Sequence, residues 1–311
     1  MSENSTSITK RRRATLSSTI VIVLLLASYL PILVNAEDDY EADEIFTGTI
    51  LDFDGEEMGK SYLTTPSGDP VYSATRHLKN QWIDEGMTNM VLPFSSDYLS
   101  QQSRSTTRAC ENAWNQGDSV VMPSAGGTIA AEVERVTSSA AIIVENGVSI
   151  PSTTINDIAS TWDNSIYPTV TSYFGNTPDV DNNCQVEIVI LSIDGPSNIG
   201  GYFSSGIAAS REAIFVDSDD LGWRNVIFAH EFEHLLHNAR DPLEYAWIDE
   251  GAADMAAFLV LGAEGSLIGH SNGWTSNASC SVRWWNQRAD CDYGAGFLFI
   301  LYLADKFGGG Q

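Results

Sequence analysis

Two histidines flank a glutamate in the pentapeptide His230-Glu231-Phe232-Glu233-His234. On a helix, residues i and i+4 lie about one turn apart on one face, so both imidazoles can reach a single cation at ~2.0–2.1 Å, the zinc–nitrogen distance. Glu231, turned by ~100° from His230, falls where a carboxylate can take a proton from a metal-bound water without becoming a ligand. Zinc brings the pKa of such a water to ~7, and the carboxylate can pass the proton to a leaving amine, which is hydrolytic chemistry. Of the chain's five histidines, three (His230, His234 and His237) fall in this segment. The plainer alternative is an amphipathic helix with partly exposed histidines.

A catalytic zinc needs a third protein ligand and an open fourth position. Glu250 follows in Trp247-Ile248-Asp249-Glu250-Gly251-Ala252-Ala253-Asp254. Near the start of a second helix, and reached through a turn around Asp241-Pro242, it could complete a His₂Glu set. Asp249 is the competing carboxylate, expected to face solvent or cap the helix. His237 lies near the same stripe, but a turn beyond His234 and too far from His230 to share its ion, which makes it a surface or supporting histidine.

The elements that must position these groups follow from periodicity. Asp217-Ser218-Asp219-Asp220 supplies N-cap candidates, and apolar spacing then runs through Val226, Ile227, Leu235 and Leu236 until Pro242 forbids continuation. A second helix is expected from about Trp247 to Gly262 and a third from about Ala295 to Lys306. Thr154 to Phe174 has helical spacing despite Pro168. Short runs within 118–145, then Val186–Leu191 and Ala213–Asp217, read as strands, with the Gly/Ser-rich stretch 195–206 as loop. Ala213–Asp217 is expected at a sheet edge, where extended substrate could add. Strands followed by helices give an α+β class.

HEFEHLLH together with WIDEGAAD resembles the glutamate-type zincins, or gluzincins, and most closely the hyicolysin-like secreted neutral metallopeptidases. The likeness extends through IYPTVTSYFG, DVDNN, GGYF and DYGAGFLFILYL, over roughly residues 118–308. It implies a zincin-like catalytic domain, a mixed sheet with an active-site helix and a glutamate-bearing helix. It implies His230, His234 and Glu250 as zinc ligands and Glu231 as general base. By the same resemblance Asp254 hydrogen-bonds a ligand histidine, which would fix its tautomer; the alternative is a surface aspartate. Tyr293 resembles a phenol near the substrate carbonyl, able to stabilise an oxyanion; the alternative is a core aromatic beside Cys291. The metzincin spacing and the G-x-M-E-N segment of aminopeptidases are both absent, which favours an endopeptidase.

Composition bounds the rest. The net charge of −25 in 311 residues makes nucleic acid a poor partner, while 43% hydrophobic residues suit a globular chain. Lys10-Arg11-Arg12-Arg13, the apolar run from Ile20 and the exit Val34-Asn35-Ala36 read as a cleaved signal peptide over 1–36. The expected product is secreted or cell-surface, with no stable membrane span after cleavage. Residues 37–117 are expected as an acidic linker and N-terminal region, 118–149 as a β-rich N-terminal part, and 150–311 as the metallopeptidase domain, truncated at its C-terminus relative to longer relatives. Export favours disulfides Cys280–Cys291 and Cys110–Cys184 over four buried thiols.

Asp179-Val180-Asp181-Asn182-Asn183 resembles the start of a Ca²⁺ loop but lacks its glycine and terminal glutamate, so a polar turn is expected. The expectation for the whole is a zinc (Zn²⁺) endopeptidase acting on protein or peptide substrates. The rival readings are an inactive cell-surface binding protein with a structural zinc site and a secreted calcium-dependent scaffold.

Overall fold

The computed structural model describes residues 63–64, 70–76, 78–79, 110–196, 199–263, 265–276 and 289–307. All but 304–307 belong to one compact unit, residues 52–303. The expected signal peptide and most of the acidic linker lie outside the described residues.

Among the described residues eight strands form one sheet. In chain order they are β1 (Leu63–Thr64), β2 (Pro70–Ser73), β3 (Ser119–Ser124), β4 (Gly127–Val136), β5 (Ala140–Glu145), β6 (Val186–Leu191), β7 (Ile199–Phe203) and β8 (Ala213–Asp217). Across the sheet the order is β1-β2-β7-β8-β6-β5-β4-β3. The pairs β5–β6, β6–β8 and β2–β7 are parallel, and β7–β8, β4–β5, β3–β4 and β1–β2 are antiparallel. The parallel centre is buried along its whole length: every residue of β6 and of β8 is buried. That accounts for apolar runs without alternation such as Ile188-Val189-Ile190 and Ile214-Phe215-Val216. In the antiparallel strand β3, Val120 and Met122 are buried while Val121 between them is exposed, the pattern of a sheet with one wet face.

The helices are α1 (Ser152–Thr161), a π-helical stretch (Trp162–Ile166), α2 (Tyr167–Phe174), the single turn α3 (Ser205–Ala208), a 3₁₀ segment (Ser218–Trp223), α4 (Arg224–Asn238), α5 (Ala246–Leu261), α6 (Gly265–Ser276) and α7 (Ala289–Phe307). The helix expected over 154–174 forms as one unbroken run of helical backbone whose middle is π-helical, and Pro168 stands directly after that wider stretch. Mixed sheet and helices agree with an α+β class.

Three expectations are corrected. Ala213–Asp217 is not an edge strand, because β8 is paired on both sides, with β6 and β7. The stretch 195–206 is not all loop: Ile199–Phe203 forms β7. Its Gly201 disguises a strand that needs it, since a Cβ there would lie 2.6 Å from both Ile227 Cγ2 and Phe215 O, so glycine lets α4 lie close on the sheet. The third helix begins at Ala289 rather than Ala295, and α6 precedes it. The N-terminal region also contributes β1 and β2. The Cys110–Cys184 disulfide is present; the other expected pairing falls on Cys280, outside the described residues. Among the described residues no helix is long and apolar enough to cross a membrane.

Candidate metal centre

Helix α4 is divided by its own periodicity. Phe228 and Phe232, four apart, pack on Trp162 with ring centroids 6.5 and 4.8 Å away. His230 and His234 are each two residues further on, a rotation of ~200° that turns them to the opposite side. There α5 lies against α4 and brings up Glu250, which is fully buried. His230 Nε2 lies 3.2 Å from His234 Nε2, and Glu250 Oε2 lies 3.3 Å from the first and 3.5 Å from the second.

The tautomers follow from the far side of each ring. His230 Nδ1 lies 3.2 Å from Asp254 Oδ1 and His234 Nδ1 lies 3.1 Å from Asp249 Oδ1. An ionised carboxylate only accepts, so both Nδ1 atoms carry the proton and both Nε2 lone pairs turn toward Glu250. Neither oxygen of Glu250 accepts an aligned hydrogen bond, although both are buried. Two Nε2 atoms and a carboxylate thus converge, an arrangement that needs a positive charge between them, from a cation or from protons. Four ligands at ~2.0–2.1 Å on the corners of a tetrahedron stand ~3.3–3.4 Å apart. The observed separations of 3.2, 3.3 and 3.5 Å match that spacing, so the residues fit zinc.

In the absence of a cation, protons take its place. Burial would push His234 down, but the Glu250 and Asp249 carboxylates outweigh it and hold the ring up to about 10. Burial likewise opposes charge on His230, yet Asp254, Glu250 and Glu231 raise it well above the ordinary value. Burial favours the neutral acid at Glu250, and the two imidazoles overcome this and bring it to about 2. A cation entering the group displaces the shared protons, so binding is coupled to pH.

The surrounding side chains come from five segments: 75–79, α4, α5, α6 and α7. Glu231 is buried and accepts a hydrogen bond from Thr75 Oγ1 at 2.6 Å. That hydroxyl in turn accepts from the Phe203 N–H of β7 at 2.6 Å. Asp249 is not solvent-facing as expected; it is buried and joined to Lys79 Nζ at 2.5 Å. An interior carboxylate between an ammonium and an imidazole is held well below its usual range, against the effect of burial. Asp254, also buried, sits between His230 and His270 Nδ1, the latter at 2.6 Å. Tyr293 on α7 stacks on His270 with centroids 4.7 Å apart and lies 6.5 Å from His230. His237 stands outside the group: its Nδ1 lies 3.1 Å from Glu233 Oε1. Burial opposes charge on His237, but Glu233 holds the ring up to about 10.

The structure thus brings His230, His234 and Glu250 together, with Glu231, Asp254 and Tyr293 around them. Thr75, Lys79 and His270 escape the sequence reading. His270 alone carried a signal, as one of only five histidines; nothing local marks Thr75 or Lys79.

Comparison with known proteins adds one finding. No family model matches the chain. Over 187 residues it is 25% identical to the neutral metalloprotease ShpI of Staphylococcus hyicus, a match covering 50% of this chain and 43% of that relative. The similarity supports a metallopeptidase relationship, and the group of His230, His234 and Glu250 is a candidate for the metal.

Proposed function

We propose that the chain is a zinc-dependent endopeptidase of the gluzincin type, with a zincin-like domain in which His230, His234 and Glu250 hold the metal. The observation that carries this reading is the convergence of two imidazole Nε2 atoms and a buried carboxylate at tetrahedral spacing. Zinc held there supplies a Lewis acid that polarises a carbonyl and lowers the pKa of water. Among the described residues no fourth histidine, cysteine or acid joins the group, which suits a catalytic rather than a purely structural site.

Glu231 is the general base. The Thr75 hydroxyl holds the carboxylate by Oε2, and the carboxylate receives the proton and later delivers it to the leaving amine. Tyr293, carried beside His230 by α7, is the proposed donor to the developing oxyanion. Asp254 and Asp249 keep the two rings in the tautomer that presents Nε2. The substrate is a protein or peptide. The Cys110–Cys184 bridge supports an extracellular setting.

Digestion of casein by the wild type and by Glu231→Gln, with metal analysis of both, tests the reading. Zinc should be present in each, with proteolysis reduced by about 10²–10⁴-fold in the variant. Full proteolysis by the variant would remove Glu231 from its role, and a wild type without zinc would remove the metal centre.

A further inference from the structure

Each of the two aspartates behind the ring nitrogens has a second buried partner. Asp254 Oδ1 faces His230 Nδ1 at 3.2 Å and Asp254 Oδ2 faces His270 Nδ1 at 2.6 Å. Asp249 Oδ1 faces His234 Nδ1 at 3.1 Å and Asp249 Oδ2 faces Lys79 Nζ at 2.5 Å. None of His270, Asp254, Lys79 and Asp249 is more than 3% exposed. The two chains run in parallel: two histidines four apart on α4, two aspartates five apart on α5, and one further donor behind each aspartate.

We propose that His270 and Lys79 are positioning residues for metal binding, each closing a relay that holds one aspartate and, through it, one ligand histidine. The inference rests on reading His230 and His234 as ligands. A carboxylate held by one oxygen can swing about that contact, and its histidine swings with it. Held by both oxygens from different elements, it fixes the ring plane and the direction of the Nε2 lone pair.

Charge makes the second partner more than a spacer. A histidine that binds metal is neutral, so it no longer compensates the negative charge of the aspartate behind it. A buried carboxylate then needs another donor or cation. Lys79 supplies the cation for Asp249 and His270 the N–H for Asp254. The approach of His270 is itself built into the helix packing. A Cβ on Gly294 would lie 2.0 Å from His270 O and 2.9 Å from Trp274 Cβ, so glycine at that point of α7 is what admits α6.

The test is zinc affinity of the full chain, by competition with a chelator, for wild type, His270→Phe, His270→Asn and Lys79→Met, beside the melting temperature of each chelated protein. Asparagine keeps an N–H where histidine Nδ1 stands; phenylalanine fills the space without one. His270→Phe and Lys79→Met should each bind zinc about 10–100-fold more weakly, while His270→Asn stays within about threefold of wild type. The proposal is overturned if the phenylalanine and methionine variants hold zinc as tightly as wild type, or if asparagine loses as much affinity as phenylalanine at an equal chelated melting temperature. A wild type that takes up no zinc would instead overturn the metal centre beneath it, so the two failures are distinguishable.

Discussion

His230, His234 and Glu250 between α4 and α5, and Asp179 and Asp181 of the loop before β6 with Glu212 just before β8, look alike as inventories, for each gathers three possible ligand atoms within 4.8 Å. They differ in what already answers those atoms. In the loop, the N–H groups of Cys184, Asn183 and Val180 donate to Asp179, Asp181 and Glu212 in turn. Burial, opposed by the Val180 N–H, pushes Glu212 up to about 7, so its unanswered Oε2 belongs to a group that sheds charge by holding a proton. In the group of His230, His234 and Glu250 an aspartate engages the far side of each ring, and the two Nε2 atoms face Glu250 across a gap that a cation or protons must fill. Convergence of ligand atoms with no fixed donor between them marks a candidate metal centre; a density of acids does not.

The largest way to break this comparison is to remove a member of each group. His234→Ala should cost about 10³-fold or more in zinc affinity, since each ligand carries a substantial share of the binding energy. Asp181→Ala should leave zinc affinity unchanged by the same metal titration, and a matching loss there would erase the distinction. Next in size is the disulfide beside the acidic loop. It closes a sequence separation of 74 residues, and replacing both Cys110 and Cys184 by serine should lower stability by about 3–4 kcal/mol in denaturant titration. Zinc affinity should survive, because the metal group is assembled by α4 and α5.

Chelation sharpens the comparison through pH. His234 and His237 are held up to about 10 from an ordinary 6.5. Their contribution is complete below about pH 6.5 and is lost as pH rises through about 10. Calorimetry of the chelated protein should therefore show the melting temperature falling across that window. Zinc should blunt the fall, because the cation replaces the proton on His234. The smallest effect belongs to Glu212→Gln. The acid is neutral when folded up to about pH 7, against an ordinary value of 4.5, so the stability it confers is present below about 4.5 and lost as pH rises through 7. The glutamine variant should escape that loss and melt roughly 2–6 °C higher than wild type at pH 8.

Local rules carried much of the architecture. Val186–Leu191 is a strand because β-branched residues fill it, and α4 is a helix because its apolar residues recur at three and four. The same rules misread β7, whose glycines resemble loop until the helix pressed against Gly201 is known. They also misplaced β8 at an edge, since β7 follows β6 in the chain but pairs with β8 in the sheet. Asp249 was expected in solvent or at a helix cap because its partner Lys79 stands 170 residues earlier, beyond any periodic signal.

Which side chains share a face was legible in the residues alone: His230 with His234, Phe228 with Phe232, through the pitch of a helix, which depends only on neighbouring residues. Tertiary structure alone decided what meets those faces. Glu250 joins the imidazoles because α5 folds back on α4, and Thr75, Lys79 and His270 reach the site from three different distances along the chain. Burial and sheet order select such partners after the chain has folded, and no local period encodes them.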